Sequence, residues 1–197
     1  MDKFSRNRVI NAVLYFASNI EACEKIKLFK LLFLLDFEHF RETGKSVTGY
    51  EYQAWSFGPV PTSLMEEFEC PQPDLGALVQ IVPVKVHGSF YRNEVRPVED
   101  AEFDDIDFTT RQLKLMSSLV TKFRTVSSSF TMVDVIPRDN DAWFKAWNEG
   151  GPQVVIPYEL ALPDKMPVED RESVLRVARN ERMYENAVSL LRSEPIH

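Results

Sequence analysis

The stretch from Glu21 to Thr43 constrains this chain more than any other. It carries Ile26, Leu28, Phe29, Leu31, Leu32, Phe33, Leu34, Leu35, Phe37 and Phe40. On a 3.6-residue period these side chains go nearly all round a helix, and a helix apolar on every side has to be buried on every side. The run is too long for a strand. Its longest apolar part, Leu28 to Phe37, is interrupted by Lys30 and Asp36, and it falls short of the roughly 20 residues that span a bilayer. The rest of the chain must therefore wrap around one central helix. Gly44 follows Thr43 where a left-handed residue ends a helix.

The flanking patterns supply the wrapping. Ser5 to Asn19 has helical spacing through Val9, Ile10, Val13, Leu14, Phe16 and Ala17, with Ser5 as N-cap. Glu51 to Phe57 alternates as a short strand, which Gly58-Pro59-Val60-Pro61 breaks. Pro61 then opens a helix to Phe68, its missing N–H costing nothing in a first turn. Cys70 to Gly76 reads as a loop. From Ala77 to Val98 the period drops to two around His87-Gly88-Ser89, a β-hairpin, with Pro83 and Pro97 at edge or bulge positions. Thr109 or Thr110 can cap a helix through Leu113, Met116, Leu119, Val120 and Phe123. Shorter helices follow, from Ser127 or Ser128 to Ile136 and from Asp141 to Asn148, then an apolar stretch from Val154 to Leu162. Val168 to Arg192 forms a long amphipathic helix whose stripe is Val174, Val177, Ala178, Tyr184, Ala187, Val188 and Leu191. The expected fold class is mainly α (α+β): one multi-helix domain over residues 1–197 around a buried central helix. A β-hairpin insertion at about 77–98 separates its two helical halves, and a long C-terminal helix occupies about 168–192.

Chemistry is sparse. The three histidines, His39, His87 and His197, lack metal-ligand spacing, and Cys23 and Cys70 form no Cys-x-x-Cys pair. No cofactor and no metal is expected. No glycine-rich phosphate loop or nucleophile motif occurs, and Pro59 and Pro61 cannot offer the N–H groups a phosphate cradle needs. The net charge of −7, from 23 basic and 30 acidic side chains, opposes nucleic-acid or membrane-surface binding, which requires a positive field. Two unpaired thiols and no signal-peptide pattern point to the cytoplasm.

Four clusters remain. Asp36 and His39 share a helix face at i, i+3, so a carboxylate-oriented imidazole acting as general base is one reading. The commoner one is that the central helix emerges from the core here and its polar end is solvated or bonded to the following loop. Trp55, Phe57, Gly58, Pro59 and Pro61 form either a partner anchor or a tight corner with Trp55 in the core. Trp143 and Trp147 share a helix face, for packing or for a partner. Glu99, Asp100, Glu102, Asp104 and Asp105 head an acidic run without a basic residue, a solvated linker or a strip that meets a basic partner surface. The hairpin also offers a strand edge to a partner, unless its prolines protect that edge.

The stretch from Lys25 to Phe68 resembles the Panacea antitoxin domain, the family of the SocA-like antitoxins and phage-associated GepA-like proteins. The resemblance rests on Lys27, Lys30, Leu31, Leu32, His39, Gly44, Lys45, Ala54, Trp55, Gly58, Pro59, Val60 and Pro61, in that order. Phe33 stands where tyrosine is common, and Val79 to Val98 is longer than in compact members. Weaker similarity runs through Phe108 to Phe123 and the Ala142-Trp143 pair to about Trp147. The resemblance implies a type II antitoxin that neutralises a toxin protein, encoded next to it, by direct stoichiometric binding. It also implies an alternative, an adaptor that delivers the toxin to a cytoplasmic protease. An enzyme using Asp36 and His39 is a further alternative. A transcriptional regulator is disfavoured by the charge and by the lack of a helix-turn-helix signal. Homo-oligomers are compatible with all of these.

Overall fold

The computed structural model describes residues 3–126 and 142–193. The expected mainly α architecture with a small β element is what it shows. Helix α1 (Lys3–Asn19) and helix α2 (Lys25–Thr43) are joined by a turn in which Ala22 has a positive φ. The chain is already helical at Lys3, so Ser5 lies inside α1 rather than capping it. Likewise α2 starts four residues after Glu21, with Glu24 in extended conformation at its N-cap.

Every residue from Lys27 to Phe37 is buried, and so are His39 and Phe40. The neighbours that enclose α2 are α1, strands from two hairpins, the helix Thr110–Phe123, the 3₁₀ turn Tyr158–Ala161 and the last helix. Gly44 ends it with φ 75°, its N–H donating to the Phe40 carbonyl at 2.8 Å.

The first β element is a correction. The residues expected to break the chain form a strand, β2 (Gly58–Pro61), paired antiparallel with β1 (Tyr52–Trp55) across a two-residue turn. Ala54 and Tyr52 face Pro59 and Pro61 in the register, yet their own backbone bonds run to the opposite side, to residues 153–156. Pro59 and Pro61 therefore sit at the positions of β2 that donate nothing to β1, so the missing N–H groups cost the ladder nothing. Gly58 has φ 126°, and an added Cβ would lie 2.7 Å from Lys30 Cε. Helix α3 (Thr62–Glu67) follows with Pro61 as its N-cap, so the helix starts one residue later than expected. Inside the expected loop lies a single turn, α4 (Pro73–Gly76). Arg6 of α1 ties both down, through Glu67 and through Asp74 at 2.7 Å.

The expected hairpin is β3 (Val79–His87) with β4 (Phe90–Pro97), turning at Gly88-Ser89 with a bulge between Lys85 and His87. The Val95 N–H donates to the Cys23 carbonyl at 2.8 Å, away from β3. By alternation Pro83, opposite Asn93, also turns its nitrogen outward, onto the open edge. Helix α5 (Thr110–Phe123) starts with a Thr109–Gln112 capping box.

Helix α6 (Ala142–Gly150) packs on β1 and on the 3₁₀ turn Tyr158–Ala161. The expected helix from Ser127 or Ser128 to Ile136 lies outside the described residues, as does Asp141. Helix α7 (Val168–Ser193) behaves as two halves. Val174 and Val177 are half-buried and Ala178 buried against the end of α2, whereas Tyr184 and Leu191 are 69% and 76% exposed. The expected stripe is thus covered only in its first half.

Candidate functional site

Asp36 is fully buried and spends its acceptors on the loop after α2. Val47 N–H and Thr48 N–H donate to one oxygen at 2.8 and 2.7 Å. The other oxygen takes the hydroxyls of Thr48 and, at 2.7 Å, of Tyr52; the Tyr158 hydroxyl lies 3.4 Å from it but gives its proton to the Tyr50 carbonyl at 2.6 Å. No cation pairs with it among the described residues. Burial pushes its carboxyl up, against the pull of these bonds, and it also drives the Tyr52 phenol well up. His39 does not meet Asp36. Its Nδ1 lies 2.7 Å from the Lys45 carbonyl, which only accepts, so Nδ1 carries the proton. Burial lowers its pKa and favours the neutral ring. The general-base pair allowed by i, i+3 spacing is not formed. Two residues of one helix instead fasten the loop 44–50.

The Trp55 corner is split by burial. Trp55 and Phe57 are half-buried with ring centroids 5.6 Å apart, while Gly58, Pro59 and Pro61 are buried. These three set the shape of the corner, and its accessible part is the two aromatics. Trp143 stacks on Trp147 at 5.8 Å and donates its indole N–H to the Trp55 carbonyl at 3.0 Å. The tryptophans of α6 thus hold the corner from behind, with Phe144 beside them 44% exposed.

The acidic run is a pinned loop with its charges outward. Phe103 packs against Tyr15 at 5.0 Å and against Phe108. The Asp104 N–H donates to Asn11 Oδ1 at 2.9 Å, and Asn7 donates to Asp107. Glu99, Asp100, Glu102, Asp104 and Asp105 are all exposed, and none forms an ion pair among the described residues. Beyond it, the hairpin tip exposes Val86, Phe90 and Tyr91.

One feature had no sequence signal. A cleft of about 550 Å³ opens between the loop after α2, residues 155–159 and the middle of α7. Its walls come from three distant parts of the chain, so no local spacing could announce it.

The cysteines differ sharply. Cys23 is 3% exposed, and burial pushes its thiol up to about 12; Cys70 is exposed. In the native protein a thiol reagent is expected to label Cys70 at once. Cys23 should react about a hundredfold or more slowly, gated by unfolding. Equal rates would contradict the packing of Cys23 under β4.

Among the described residues no group of three or more His, Cys, Asp or Glu could hold a metal ion, and no helix is long and apolar enough to cross a membrane. No curated protein sequence matches the chain, and no solved structure does. The sequence profile of the family described as antitoxin SocA-like, Panacea domain, matches residues 28–143. That span runs from the first buried turn of α2, through both hairpins and α5, to the start of α6. The matched span is more than half of the 197 residues, and the chain belongs to the SocA-like antitoxin family with a Panacea domain.

Proposed function

We propose that this protein is a cytoplasmic antitoxin that neutralises a toxin protein encoded beside it by direct, stoichiometric binding. The observation that carries the reading is the family match over residues 28–143. The site geometry supports binding over chemistry: the fully buried carboxylate of Asp36 is spent on fastening a loop, and His39 is bonded to a backbone carbonyl. Two surfaces suit a protein partner. Trp55 and Phe57 form an aromatic pair on a rigid turn, the type of residue that dominates binding energy. The outward carboxylates of residues 99–105 suit a basic partner face and would speed encounter. A stable complex of this kind buries about 1,200–2,000 Å² in total, more than either surface supplies alone.

The test is growth rescue and co-purification with the neighbouring gene's product. Replacing Trp55 and Phe57 together with alanine is expected to weaken binding by about tenfold or more, mainly through faster dissociation. Neutralising Glu99, Asp100, Glu102, Asp104 and Asp105 is expected to slow association at low salt by about tenfold. If both variants bind as the parent does, the contact surface lies elsewhere. A neighbour that is harmless and does not co-purify overturns the reading. Rescue that disappears in a host lacking its cytoplasmic proteases replaces masking with delivery for degradation.

A further inference from the structure

The outer side of β1 is covered by residues 153–156. The Ala54 N–H donates to the Val154 carbonyl and the Ile156 N–H to the Tyr52 carbonyl, both at 2.8 Å. Val155 lies between these bonds, opposite Gln53. Strand alternation therefore turns its own N–H and C=O away from β1, and neither bonds to any described residue. The little sheet is thus open at one residue.

That residue lines the cleft and is 41% exposed. Tyr158, which also lines the cleft, is held by a 2.6 Å bond from its hydroxyl to the Tyr50 carbonyl. Of the five charged residues lining it, Lys45 pairs with Glu181 at 2.5 Å and Arg182 with Glu159 at 2.8 Å. Glu51, exposed, is left without an ion-pair partner among the described residues. Pro152 and Pro157 flank the open edge, and neither can donate a backbone bond. They confine pairing to Val155 and stop the edge from recruiting long strands.

We propose that this cleft docks an extended segment of a protein partner. One residue of the segment exchanges both backbone bonds with Val155, adding a short strand to β1 and residues 153–156. A basic side chain of the segment lies against Glu51. The walls of the cleft, from the loop after α2 and from α7, select the neighbouring side chains. The inference does not depend on the partner being a toxin.

The test pans a random 12-residue peptide library, displayed on phage, against the full chain. Enriched peptides are then made and measured against the parent, Val155→Pro and Glu51→Lys. Val155→Pro removes a donor the chain itself does not use, on an edge where proline is tolerated, and an unchanged urea midpoint confirms the fold. The expected peptides are rich in β-branched and aromatic residues with one Lys or Arg. Their affinity should fall about tenfold or more in Val155→Pro and about threefold in Glu51→Lys. In the parent, the Val155 amide should exchange fast when free and slow down in the complex, a readout that holds even if Val155→Pro fails to fold. No enrichment, a Val155 amide left fast in the complex, or protection of that amide in the free protein by self-association would each overturn the proposal. A chain that rescues growth without these signs loses the docking strand and keeps the antitoxin reading. A chain that shows them and rescues nothing does the reverse.

Discussion

Asp36→Ala is expected to cost this fold about 3–5 kcal/mol, because it leaves several buried donors without an acceptor. The reason is the orphaned donors. Val47 N–H, Thr48 N–H, Thr48 Oγ1 and Tyr52 Oη all point at this carboxyl in a space without water access, and each unsatisfied buried group costs about 1–3 kcal/mol. Small domains hold only about 5–15 kcal/mol in total, so the variant should unfold at far lower urea or fail to accumulate. Asp36→Asn keeps the shape and one acceptor while turning an N–H₂ toward the hydroxyls, and it should cost less, about 1–3 kcal/mol. Val47→Ala, in the same loop but with its backbone bond intact, should behave as an ordinary core truncation of about 1–3 kcal/mol. If Asp36→Ala is no worse than Val47→Ala, the carboxyl is not the fastening of the loop.

Gly44→Ala should show the second large effect, about 2–5 kcal/mol, from two independent causes. The residue sits at φ 75°, which costs an L side chain about 1–2 kcal/mol. A Cβ there would also lie 2.5 Å from the Val174 carbonyl oxygen and 3.0 Å from Val177 Cβ, and overpacking of this kind costs about 1–3 kcal/mol. The clash is against backbone, so α7 has to move. Trypsin should then cut at Arg176 and Arg179 faster than in the parent. Gly44→Asn separates the causes, because asparagine tolerates the left-handed conformation but still carries a Cβ. Recovery of stability with continued cleavage in α7 would isolate the clash.

The central helix was legible because its pattern is local: ten apolar residues within twenty positions and a glycine after the last turn. The β3–β4 hairpin was legible for the same reason, a two-residue period around His87-Gly88-Ser89. The β1–β2 hairpin was not. Prolines at 59 and 61 forbid a strand only where their nitrogens face a neighbour, and which side they face depends on the register with β1 and on residues 153–156, about a hundred positions away. The role of Asp36 was half legible. Bonding to the following loop was one of the two readings, but Tyr158, 122 residues distant, has no local signature. The last helix shows the converse error. Its apolar spacing runs its whole length, and spacing says nothing about where the neighbouring surface stops. The buried Gly58, Pro59 and Pro61 teach the same lesson, since the sequence does not say which residues of a corner are covered.

The most direct test of the antitoxin reading is a titration of purified partner toxin with this protein, following toxin activity against molar ratio, with the mass of the complex measured alongside. Neutralisation by binding predicts a straight fall in activity that reaches zero near one equivalent, and a stable complex holding the two chains in equal numbers. Complete inhibition at a few hundredths of an equivalent, with no complex formed, would contradict it and point to turnover.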